Sequence, residues 1–139
     1  MSNQLYPSFR EALLRAFFLG ESFANDVALK VVLVGDGYTY NASHRTLADL
    51  SDIVAPGVVI PSVTISPSAV VDAPDMIPAF TGLTTGLDGK AVIIYAEDTV
   101  TLETQLVGYA DVATDGSLPF VLSQEELIIR WPPSGIFGI

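Results

Sequence analysis

The side chains that could do chemistry are few and scattered. His44 is the only histidine, and Ser43 precedes it directly. A Ser–His–carboxylate relay needs all three groups at hydrogen-bonding distance, and adjacency along the chain does not supply that geometry. With one histidine and no cysteine, a zinc site of histidine or thiolate ligands is excluded. Carboxylates come in pairs: Asp49 with Asp52, Asp72 with Asp75, Glu97 with Asp98, Asp111 with Asp115, and Glu125 with Glu126. None follows the calcium-loop order of alternating oxygen ligands closed by a glutamate, so Asp72/Asp75 and Asp111/Asp115 are only the places where a structural calcium would find oxygens. Paired carboxylates also hydrolyse glycosides, but that reaction needs a sugar cleft, usually aromatic-lined, and one tryptophan beside a double proline does not make one. Gly35-Asp36-Gly37 lacks the spacing, the following helix and the nearby lysine of a phosphate-cradling loop. Tyr38 and Tyr40 are same-face aromatics suited to packing in a core or an interface. The expectation is a protein that is not an enzyme, with no cofactor and no metal site.

The element that positions these residues is a strand over 28–34, apolar on both faces and so buried on both sides. It ends in the Gly-Asp-Gly turn, where Gly35 and Gly37 permit a sharp reversal. The loop holding Tyr38, Tyr40 and His44 follows. Leu47, Leu50 and Val54 suit a short helical turn, with Asp49 and Asp52 facing water. Upstream, Phe9, Leu13, Ala16 and Phe17 fall on one stripe of a helix over 8–20, which Leu14 and Phe18 widen. That helix either packs on the sheet or docks into a neighbouring subunit. Val59, Val63 and Ile65 alternate with polar residues, and Pro56, Pro61 and Pro67 mark an edge or bulged strand. Further strands read over 91–96, 106–112 and 120–122. A last one over 126–131 closes the sheet. The tail, 132–139, ends in Ile136, Phe137 and Ile139, which either fold back or dock on a neighbour, since each costs roughly 1.5–3 kcal/mol to leave in water. The whole, 1–139, reads as one α+β, mainly β domain: an antiparallel β-sandwich with one N-terminal helix.

Composition bounds the role. Half of the 139 residues are apolar, only 16% are charged, and the mean hydropathy is +0.47. A small sphere cannot hide that much apolar surface, so a homo-oligomer or larger assembly is expected. Sixteen acidic against six basic residues give a net charge of −10, which repels nucleic acid and anionic lipid. No apolar run approaches the roughly 18–20 residues that span a bilayer. The first residues lack the basic-then-apolar pattern of a signal peptide, so a cytoplasm, or a particle assembled there, is the expected location.

Several stretches, in order, resemble a group of small virion structural proteins of tailed bacteriophages. They are the helix leading into Ala28-Leu29-Lys30-Val31-Val32-Leu33-Val34, the Tyr38-Thr39-Tyr40-Asn41-Ala42-Ser43-His44 loop, Leu47-Ala48-Asp49-Leu50, Ala91-Val92-Ile93-Ile94-Tyr95, and Leu106-Val107-Gly108-Tyr109-Ala110-Asp111. The end is most similar: Leu127-Ile128-Ile129-Arg130-Trp131-Pro132, then Ser134-Gly135-Ile136-Phe137. Asp72-Ala73-Pro74-Asp75 resembles the group's Asp-Ala-Asp-Asp segment, with Pro74 where an acidic residue is common. The resemblance carries no active site. It implies a capsid decoration or cement protein that contacts the major capsid protein and other virion proteins, with a tail or head–tail connector component as the alternative. A glycan-binding module on the virion is a third reading. The expected contact residues are Tyr38, Tyr40 and His44 of the loop and Ile136, Phe137 and Ile139 of the tail.

Overall fold

A computed structural model describes residues 4–19, 27–68, 70–110, 120–121, 127–129, 131 and 136–138. The chain is mostly β, with 43% of it in strands, and has one α-helix among the described residues, near the N-terminus. Five strands form the main sheet: β1 (Gln4–Leu5), β2 (Val27–Val34), β3 (Ile53–Val59), β8 (Ala91–Asp98) and β9 (Thr104–Ala110), in the order β1-β9-β8-β2-β3 and antiparallel throughout. The shorter strands β4 (Thr64–Ile65), β5 (Val70–Asp72), β6 (Met76–Phe80), β7 (Asp88–Gly89), β10 (Phe120–Val121), β11 (Leu127–Ile129) and β12 (Phe137–Gly138) form small sheets, β10-β7, β11-β6 and β12-β5-β4. The helix α1 spans Pro7–Leu19. Pro7 opens it, where a missing N–H costs nothing, and Phe9 N–H bonds back to the Tyr6 carbonyl.

β2 and β8 pair along their whole length, Val27 with Asp98 at one end and Val34 with Ala91 at the other. Their apolar residues on both faces are explained by two cores. On one face Val31, Leu33, Val92, Ile94 and Val107 pack with Met76, Ala79 and Phe80 of β6 and with Ile60 and Leu83. On the other, Val32, Val34, Ala91, Ile93 and Leu106 pack with Tyr6, Tyr38, Tyr95 and Tyr109. β3, with Pro56 inside it, lies at the sheet edge, where a missing N–H breaks no ladder. Gly57 of β3 sits under the Tyr95 hydroxyl, and a Cβ there would collide with it.

Three elements differ from the sequence reading. The helical turn after the loop covers only Leu47–Asp49, and Val54 belongs to β3. The extended stretch before β4 begins at Ile53, upstream of the alternation at Val59, because the chain pairs there with β2 through two irregularities that spacing alone does not reveal. The strand around 127–129 does not close the main sheet: it pairs with β6, again across a bulge.

Candidate functional site

The loop over 35–52 runs along one face of the main sheet and returns. Gly35 N–H bonds to the Asp52 carbonyl (2.9 Å) and Gly37 N–H to Asp52 Oδ2 (2.7 Å), so the loop closes at the Val34 end of β2. Midway, Leu106 N–H bonds to the Arg45 carbonyl (2.8 Å) and Leu47 N–H to Thr104 Oγ1 (2.9 Å), tying it to β9. Lys90 Nζ donates to the Tyr38 carbonyl (2.7 Å). Such a loop is an outer strap held at both ends, which turns Tyr38 inward and leaves most of its other residues exposed.

Tyr38, Tyr40 and His44 are brought together here, with Tyr6 and Tyr109. The Tyr6 and Tyr38 hydroxyls are 2.7 Å apart, and the Tyr38 hydroxyl is 2.9 Å from His44 Nδ1. Tyr40 stacks at a tilt between Tyr6 (5.0 Å) and Tyr109 (5.3 Å). Tyr6 and Tyr38 are buried. With Tyr6 donating to Tyr38 and Tyr38 donating to Nδ1, both hydroxyl hydrogens find acceptors; the reverse order leaves the Tyr6 hydrogen needing another. Burial, and then the Tyr38 hydroxyl, push the Tyr6 phenol well above its ordinary value; burial raises Tyr38 and Tyr40 too. Neutral phenols in a packed cluster stabilise the fold and are poor nucleophiles at neutral pH. Ser43 Oγ donates to Asn41 Oδ1 (2.7 Å), and Ser8 Oγ donates to the His44 carbonyl (3.3 Å), so neither hydroxyl is set on the imidazole.

In the tail, Ile136 is half-buried against the chain's own core, and its N–H bonds to the Val71 carbonyl (2.7 Å). Phe137 enters β12 opposite Val71; Ile139 lies outside the described residues. Of the carboxylate pairs, Asp72 Oδ1 accepts Ala73 N–H and Asp75 Oδ1 accepts Trp131 N–H, which commits both to local structure. Asp111, Asp115, Glu125 and Glu126 lie outside the described residues. Among those described, no three His, Asp or Glu side chains are grouped to hold a metal ion.

The apolar surface that is turned outward lies elsewhere. α1 leaves β1 beside β9, with Gln105 Nε2 donating to Ser8 Oγ (2.9 Å). Phe9, Ala12 and Ala16 are half-buried, while Leu14, Phe18 and Leu19 are 60%, 72% and 64% exposed. Leu14 and Phe18, four residues apart, share one face of the helix. The C-terminus of α1 leads within eight residues to Val27, which pairs with Asp98 beside the β8–β9 turn. There Val100 and Leu102 are 81% and 66% exposed. Leu102 is also held at φ 62°, a left-handed conformation that costs a branched side chain about 1 kcal/mol. An exposed leucine in a strained backbone, at the sheet end that α1 leads back to, marks this end as the candidate contact surface. Its sequence signal is the run Leu13, Leu14, Phe17, Phe18, Leu19, which is apolar around more of the helix than one packed stripe requires.

Comparison of the chain with protein families, curated proteins and solved structures found no match in any of the three.

Proposed function

We propose that this chain is a structural component of an assembly, working by protein–protein contact rather than by chemistry. The observation that carries the reading is the exposure of Leu14 and Leu19 on α1, with Val100 and Leu102 of the β8–β9 turn. A helix that leaves large apolar side chains in water loses roughly 1.5–3 kcal/mol per side chain relative to burial, and a partner surface restores it. The resemblance to tailed-bacteriophage virion proteins supplies the setting: a capsid decoration or cement protein lying on the coat and bridging its subunits, in the virion. On this reading the main sheet and the small sheets β11-β6 and β12-β5-β4 make the two layers of a β-sandwich, and α1 stands at its margin as the docking element. The aromatic loop, with Tyr38, Tyr40 and His44, then stiffens the body rather than meeting the partner.

Quantitative mass spectrometry of purified particles tests this. Decoration requires copies comparable in number to the coat protein; a handful of copies fits a tail or connector component instead. A chain missing from the particles contradicts the virion reading, and a measurable turnover by the isolated protein contradicts the non-catalytic one.

A further inference from the structure

The Tyr6–Tyr38–His44 chain has a direction, and the direction depends on one proton. The Tyr6 hydroxyl is buried and bonds to the Tyr38 hydroxyl (2.7 Å), which in turn reaches His44 Nδ1 (2.9 Å). Both hydroxyl hydrogens are used only when Nδ1 accepts, which fixes a neutral ring with its proton on Nε2. A proton on Nδ1 makes that nitrogen a donor. Tyr38 must then turn its hydrogen to Tyr6, and the Tyr6 hydrogen is left without an acceptor among the described residues. His44 is half-buried, and the loop is tied down around it: Ser8 Oγ donates to its carbonyl (3.3 Å), and Leu106 N–H donates to the carbonyl of Arg45 (2.8 Å). Asp49, exposed on the same loop, feels the charge of His44. Glu11 of α1 holds Arg45 (3.5 Å), and the charge of Arg10 on α1 reaches Tyr40. Thr104 and Leu106, which tie the loop to β9, carry no charge. A protonated ring therefore loses its acceptor role on the inner side and finds Asp49 and water on the outer side.

We propose that His44 is an acid-sensitive latch for the loop over 35–52. With the ring neutral, the hydroxyl chain holds the middle of the loop against α1 and β9. Protonation reverses the chain, and the segment over 41–47 lifts while the ends of the loop stay tied through Asp52. The closed loop requires the neutral ring, so closure is complete at high pH and is lost as pH falls. The latch belongs to this loop alone and works whether or not the chain joins an assembly.

Amide hydrogen exchange of the full chain, read by NMR at about pH 8 and about pH 5 and corrected for the intrinsic pH dependence of exchange, tests the latch. The amides of Leu47 and Leu106, whose bonds cross between the loop and β9, lose protection about ten-fold in acid, while those inside β2 and β8 keep theirs. His44→Asn puts an amide oxygen near the Nδ1 position and cannot gain a proton, so its loop stays protected at both pH values. Tyr6→Phe/Tyr38→Phe removes both hydroxyls, and with them the order to be reversed, so its loop exchanges alike at both. Thermal melts show that the variants remain folded; His44→Gln replaces the first, and Tyr38→Phe alone the second, should either unfold. Nitrogen-15 spectra of the wild-type imidazole at about pH 8 show the proton on Nε2. A wild-type loop equally protected at both pH values, a His44→Asn loop that still opens in acid, a hydroxyl-free variant that opens as the wild type does, or a proton on Nδ1 at about pH 8 overturns the proposal.

Discussion

Asp98 holds the β8–β9 turn by accepting the N–H groups of Val100 (2.8 Å) and Thr101 (3.1 Å), and those bonds hold its carboxyl below the usual range. Asp49 is lowered likewise by the N–H groups of Arg45 and Thr46. A depressed folded value contributes stability above the ordinary aspartate range that is lost as pH falls through the folded one. Asp88 runs the other way. Its contact with Asp36, and then the charge of that group, raise it. Its stabilising protonated form is present in acid and lost as pH rises through the raised value. Asp88→Asn should therefore raise Tm at neutral pH, with the gain vanishing near pH 3, whereas Asp98→Ala should lower Tm at neutral pH; thermal melts at the two pH values check both. Trp131 adds a different case. Its buried Nε1 has no hydrogen-bond partner among the described residues, a loss of about 1–3 kcal/mol. Trp131→Phe should be neutral or stabilising in a denaturant titration, against the usual loss on truncating a buried aromatic.

Gly57 and Ile136 make the corresponding tests for whole elements. Gly57→Ala forces the Tyr95 ring off β3 and should cost about 1–3 kcal/mol, read by chemical denaturation. Ile136→Ala should cost about 1–2 kcal/mol for the same readout, because the half-buried side chain packs on the core beside β5. Had the tail served only a partner, the fold would not notice its loss. β2, β8 and β9 were legible because double-faced apolar runs have no other stable use than a covered sheet. α1 was legible within a residue at each end from its stripe, Pro7 and Gly20. The partner of β11 was not legible, since a three-residue strand carries no mark of which neighbour it will pair with and its register shifts at a bulge. The loop gave up its aromatic character but not its direction: alternation placed Tyr38 and Tyr40 together, and only the ties to Asp52, Thr104 and Leu106 show that they face inward. The outward face of α1 was present in its composition as excess apolar breadth, hidden because breadth alone does not tell a buried helix from a docking one.

At the scale of the whole molecule, the apolar residues divide between two cores and a smaller exposed set. Most of the apolar mass lies in the two cores on either side of the main sheet. Among the described residues, Leu14, Phe18, Leu19, Val27, Val100 and Leu102 are exposed on α1 and at the sheet end it leads back to, and Ile53, Val59, Ile65 and Leu87 are exposed elsewhere. Removing the outward side chains of α1 should then leave folding stability within about 0.5 kcal/mol while abolishing entry into the assembly, a separation that no core substitution can imitate. An electron-microscopy map of purified particles containing this chain tests that separation most directly. Leu14 and Leu19 should be found buried against protein. A particle in which both stand in open solvent would contradict the account.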